Sequence, residues 1–165
     1  MINHKIEKML NKQLNDELYS SYYYLAMSAY FENNAFEGFA KWMRMQSDEE
    51  RVHAMKIYDF IHQVGGKVKL TTIKTPQTEW ANPIAVFKDT YKHECEVTKS
   101  INTIVDTALN IKDHATNNFM QWFISEQVEE EATTQRLLDQ LKFIGADKKG
   151  LFMLDREIGQ RTVIT

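Results

Sequence analysis

Apolar positions recur along most of the chain with a period near 3.6 residues, the pattern of helices that each bury one face. In a first segment, about residues 3 to 32, Ile6, Leu10, Leu14, Leu18, Tyr24, Leu25 and Phe31 carry the pattern. Asn33-Asn34 interrupts it. A second segment, about 36 to 64, resumes with Phe36, Phe39, Met43, Ser47, Ala54, Ile57, Ile61 and Val64, and Gly65-Gly66 closes it. So short a break predicts antiparallel packing of the first two helices. Residues 66 to 82 contain Pro76, one of the two prolines, and little periodicity. A third helix is predicted from a cap at Asn82 or Pro83 to Asn110, with Ile84, Phe87, Tyr91, Thr98, Ile101, Val105 and Ala108 inward. Asp113 can cap a fourth that runs to about Ile144 and turns Phe119, Phe123, Thr134, Leu137 and Leu141 inward. After Gly145, Asp147 to about Gln160 reads as a short fifth helix. Its Leu151, Phe152, Leu154 and Ile158 are too few for the bundle and too apolar for open solvent, so burial at a subunit contact is expected.

The unpatterned stretch from 66 to 82 spans roughly 55 Å when extended, whereas a helix like the third is about 42 Å long. It can therefore traverse the bundle and leave helices two and three parallel. The expected fold is all-α, a four-helix bundle with one long crossover and a short fifth helix. At 165 residues one domain is the expectation, with the bundle in 1–145 and the short helix and tail in 146–165. A net charge of -3 without a Lys/Arg block argues against nucleic acid as the main partner. The absence of a long apolar run or leader predicts a cytoplasmic chain without a membrane span. The lone Cys95 excludes an internal disulfide or a Cys-x-x-Cys knuckle within the chain.

Each of the four long stripes is interrupted near mid-length by polar residues: Glu17, then Glu50 with His53, then Glu94, then Gln127 with Glu130. Glu50 and His53, three residues apart, share a helix face. Midpoints of packed helices lie in one layer whichever way the helices run. Four carboxylates, one imidazole and one amide there are too many acids for a dry core unless cations neutralise them. Two divalent ions would do so, and oxygen-rich ligation with one nitrogen suits iron or manganese better than structural zinc. Taken singly the residues have plainer readings. Glu17 could reach solvent, His53 could be a hydrogen-bonded core histidine, and the runs Asp48 to Glu50 and Glu129 to Glu131 could be solvated faces. Tyr24 and Trp122 fit either core packing or a place beside metals, while Met43 and Met120 fit packing. His4, His62, His93 and His114 fall outside the acidic layer and receive no role.

The set Glu17, Glu50-Arg51-Val52-His53, Glu94 and Glu126-Gln127-Val128-Glu129-Glu130, with the long connection and short last helix, resembles the bacterial non-haem ferritins over the whole chain. The resemblance implies one iron on Glu17, Glu50 and His53. It implies a second on Glu50, Glu94 and Glu130, with Glu50 bridging, Gln127 near the second ion and Tyr24 adjacent. A third iron position would fall on Glu49, Glu126, Glu129 and Glu130. The activity implied is that of a ferroxidase, oxidising Fe(II) with O2 or H2O2 and storing Fe(III) as an oxo-hydroxide inside a homo-oligomeric shell of 24 subunits. Bacterioferritins are similar but carry a second Glu-x-x-His, and their haem-ligating methionine falls on Arg51, so haem is not expected. Rubrerythrins add a four-cysteine module that Cys95 alone cannot supply. A di-iron or di-manganese redox enzyme of oxidase or catalase type is the competing reading, although Gln127-Val128-Glu129-Glu130 departs from the paired Glu-x-x-His of such enzymes. A structural bundle or metal buffer would leave the acidic layer unexplained.

Overall fold

The computed structural model describes residues 2–161, which form α1 (His4–Asn33), α2 (Glu37–Gln63), α3 (Pro83–Asn110), α4 (His114–Ile144) and α5 (Lys148–Ile158). Local chemistry sets most of the boundaries. Asn3, Asn82, Asp113 and Asp147 each accept a hydrogen bond from a backbone N–H of the first turn, and Pro83 opens α3 where no N–H is needed. Gly145 leaves α4 with φ 62°, a left-handed conformation that a side chain would strain. In α2 the cap comes from elsewhere. Phe36 supplies no capping side chain, and the buried Asp155 of α5 instead accepts from Phe39 N at 2.8 Å.

After α2 the chain returns along α1. Lys67 N donates to Glu7 Oε1 (2.7 Å), Lys69 N to Asn11 Oδ1 (2.6 Å) and Thr71 N to Asn15 Oδ1 (2.9 Å). The Asn11 and Asn15 amides donate back to the Lys67 and Lys69 carbonyls. Partners advancing in the same sense on both segments make the connection run parallel to α1, so α3 starts beside the N-terminal end of α2 and the two helices are parallel. The Trp80 ring anchors the far end against Tyr23 and Tyr30, its indole N–H donating to Asp89 (2.9 Å). The single long crossover expected from the sequence is thus in place.

The interior is two apolar clusters rather than one. Phe31, Phe39, Met43, Phe87 and Leu141 centre the first, and Leu10, Leu14, Ile57, Ile101, Met120 and Phe123 the second. Between them lies a buried polar layer. One stripe position differs from the sequence expectation: Leu25 is 45% exposed, because its neighbour Tyr24 takes the inward direction. The α5 helix also departs from an element buried only between subunits. Leu154, Asp155 and Ile158 dock it on this chain, so closely that a Cβ on Gly38 would meet the Asp155 carbonyl oxygen at 1.7 Å. Its opposite face leaves Phe152 and Met153 exposed. Among the described residues no helix is long and apolar enough to cross a membrane.

Candidate metal centre

The polar layer forms because four helix midpoints meet with their polar residues on the inward face. Glu17 from α1, Glu50 and His53 from α2, and Glu94 and Gln127 from α3 and α4 are all buried. Glu130, one turn after Gln127, is half-buried beside them. Charged acids here cost several kcal/mol each unless paired, and among the described residues the layer contains no lysine or arginine to pair them. Glu17, Glu50 and His53 each bring a ligand-type atom within 4.8 Å of the others, and among the described residues they are the one such trio of His, Cys, Asp or Glu. His53 Nδ1 faces Glu50 Oε2 at 3.3 Å. The imidazole is held edge-on to Trp122 and Phe123, with centroids 5.2 and 6.0 Å away. Trp122 is therefore a wall for His53.

Two oxygens in the trio, Glu17 Oε2 and Glu50 Oε2, are buried without a hydrogen-bond partner among the described residues. The other Glu17 oxygen accepts from Gln13 Nε2 (2.8 Å), and Gln13 Oε1 accepts from Ser100 (2.6 Å). This relay leaves Glu17 one oriented carboxylate and one free oxygen. Burial, then the adjacent Glu50, pushes the Glu17 carboxyl well above its ordinary pKa, while burial and Glu94 do the same to Glu50. These shifts favour the protonated carboxyls in the metal-free layer, and a divalent ion bound there would take the place of those protons and fill the orphaned oxygens.

The remaining acids are held differently. Glu94 accepts from the Tyr24 hydroxyl through Oε1 and from Gln127 Nε2 (3.1 Å) through Oε2, and burial raises its pKa. Tyr24 is fully buried, with its phenol pushed far above the ordinary range by burial and by Glu94, so it remains a donor. Glu130 Oε2 accepts from Gln46 Nε2 (2.9 Å), and burial followed by Glu94 raises Glu130 to about 7. These acids share an electrostatic environment but point their oxygens at donors rather than into the trio. The outer group is dispersed. Glu49 is tied to Arg161, Glu126 is half-buried and Glu129 is exposed.

Several residues at the site lacked a sequence assignment. Gln13 and Gln46 each lie four residues before a layer glutamate, so a polar residue one turn earlier on the same face was the available signal. His93 belongs beside the layer, bonded to Ser20 Oγ (2.7 Å) and edge-on to Tyr24, with burial lowering its pKa to about 4. No periodic signal identifies Arg161.

Residues 7–144 match the family described as a ferritin-like domain. The chain is 43% identical over 161 residues to a bacterial non-heme ferritin of Bacteroides fragilis, covering 98% of this chain and all of that one. It is 37% identical to the bacterial non-heme ferritin of Campylobacter jejuni, covering 96% and 95% of the two chains. A solved open pore ferritin from the hyperthermophilic archaeon Archaeoglobus fulgidus superposes with a TM-score of 0.97 at 46% identity, over 98% of this chain and 99% of that one. A humanized archaeal ferritin gives 0.98 at 45% identity over the whole of both.

Proposed function

The chain belongs to the ferritin family, and from that premise we propose that it takes up Fe(II), oxidises it in the polar layer and stores the product as Fe(III) oxo-hydroxide. One observation carries the reading: Glu17 Oε2 and Glu50 Oε2 are buried, partnerless and gathered with His53. Iron is the substrate. The first ion takes Glu17, Glu50 and His53, whose atoms are already close. The second takes Glu50, Glu94 and Glu130, with Gln127 beside it. That position forms only when Glu94 and Glu130 give up bonds to Tyr24, Gln127 and Gln46, so the two affinities differ and the second ion is the looser.

Two Fe(II) ions yield one electron each. O2 accepts the pair with two protons and leaves as H2O2, or H2O2 accepts it with two protons and leaves as water. Hydrolysis of each Fe(III) to the oxo-hydroxide releases three protons. Hard carboxylate oxygens favour the ferric state and so pull the reaction forward. Tyr24 and Gln127 hold Glu94 as donors until the second ion takes their place. Storage requires an enclosed volume, and we assign it to a shell of 24 copies whose contacts include the exposed Phe152 and Met153 of α5. The competing di-metal redox enzyme needs an organic-substrate cavity opening on Glu50. Neither the cavities of about 1040 and 780 Å³ that adjoin α5 nor the one of about 420 Å³ lined by Gln13, Tyr23 and His93 beside the layer has Glu50 in its lining.

The test is the rate of Fe(II) oxidation in air, followed by ferric absorbance, for the unaltered protein and His53→Ala. Loss of the single nitrogen ligand predicts a rate lower by on the order of tenfold or more. An unchanged rate in a folded variant overturns the assignment of the first position.

A further inference from the structure

Gln13 stands one turn before Glu17 on the inward face of α1 and is almost wholly buried. Its Nε2 donates to Glu17 Oε1 at 2.8 Å, while its Oε1 accepts from the Ser100 hydroxyl of α3 at 2.6 Å. A reversed amide would set two acceptor oxygens against each other at Glu17, and Ser100 supplies the donor that the amide oxygen takes instead. Glu17 Oε1 is thereby claimed, and Oε2 is left bare beside Glu50 and His53.

Amides hold the layer glutamates in two different ways. Gln127 and Gln46 donate to Glu94 Oε2 and Glu130 Oε2, and those bonds are given up when the second ion binds. Gln13 takes the oxygen that Glu17 does not offer to the trio, so its bond can persist with an ion in the first position. We propose that Gln13, oriented by Ser100, is the positioning residue of the first iron position, holding Glu17 with one fixed oxygen toward the ion before and after it binds. The inference rests on the reading of the layer as an iron centre. A bond donated to the far oxygen favours the carboxylate over the acid, and the carboxylate is the form that a cation takes. It also stops the rotation by which Glu17 would leave Glu50 and His53. The asymmetry between a firm first position and a looser second one then follows from which oxygen each amide occupies.

Gln13 and Ser100 also line the cavity of about 420 Å³ enclosed by α1, the crossover and α3. Shortening residue 13 would admit water from it and replace the lost donor, so the informative variant keeps the volume. The test is an anaerobic titration of the metal-free protein with Co(II), following binding calorimetrically and coordination by visible absorption. Gln13→Met should bind the first Co(II) about tenfold or more weaker, with its ligand-field bands displaced and the number of bound ions unchanged. Ser100→Ala, which frees the amide to turn, should move affinity and bands in the same direction by less. Ser100→Thr keeps the hydroxyl and should match the unaltered protein. Lower melting temperatures with unchanged affinity and bands in Gln13→Met would mean that Gln13 only packs, and would overturn the proposal. So would a Ser100→Thr protein that behaves as Ser100→Ala. Failure of the underlying reading looks different: His53→Ala would then bind Co(II) as the unaltered protein does.

Discussion

Ionisation of Glu130 opposes folding of the metal-free chain. Burial and the Glu94 carboxylate raise its pKa from 4.5 to about 7, although the bond from Gln46 works the other way. A carboxyl with a raised folded-state pKa holds its proton more tightly when folded. Stability is therefore greatest at low pH and is lost as pH rises from about 4.5 through about 7. At about 1.36 kcal/mol per unit, ionised Glu130 costs on the order of 3 kcal/mol by pH 8. Glu130→Gln removes the charge but keeps an oxygen that accepts from Gln46. After treatment with chelator, the variant should exceed the unaltered protein in stability by on the order of 2 to 3 kcal/mol near pH 8, and by under about 1 kcal/mol near pH 5. For a chain of this size the melting temperatures then separate by roughly 5 to 10 °C at the alkaline end. Circular-dichroism melts of both metal-free proteins across this range supply the test. Burial also raises Glu17, Glu50 and Glu94, so both proteins decline with pH and only the difference isolates Glu130. A difference that stays constant with pH would show that Glu130 titrates as an exposed acid, refuting the buried layer at that position.

Two further predictions concern parts of the fold that hold the site. Asp155→Ala leaves the Phe39 N–H without its acceptor and should cost about 1 to 2 kcal/mol; hydrogen exchange should quicken in the first turn of α2 and in α5, while α3 keeps its protection, and a uniform change across all helices would count against the cap. Asn11→Ala removes one donated and one accepted bond that fix the crossover. Limited proteolysis should then cut between residues 66 and 75 several times faster, at a cost of about 1 to 3 kcal/mol, and cleavage at the original rate would mean that the crossover is held elsewhere.

The ends of the long helices were legible because their punctuation is local. Asn82-Pro83, Asp113 and Gly145 each act within a turn of where they stand, and the observed α3 and α4 begin and end beside them. The crossover was legible from length alone. The polar layer could be read because Glu17, Glu50 and Glu94 each break an apolar period, and burial confirms that all three face inward. Three features were not legible. The cap of α2 joins residues 116 positions apart, Arg161 meets Glu49 across 112, and the seat of α5 depends on Gly38 having no Cβ. None leaves a periodic trace, because each is a tertiary contact made by one residue. Consequently α5 read as an appendage for neighbouring subunits, whereas it also supports α2, and truncation after Gly145 is now expected to destabilise the bundle itself.

The central claim is that the buried carboxylate layer feeds a store of iron. The most direct measurement adds a large excess of Fe(II) to the metal-free protein in air and follows iron and protein together through gel filtration. The account predicts a very large particle carrying far more iron than Glu17, Glu50, His53, Glu94 and Glu130 can coordinate. Elution of a monomer or dimer holding only the few liganded ions would contradict it.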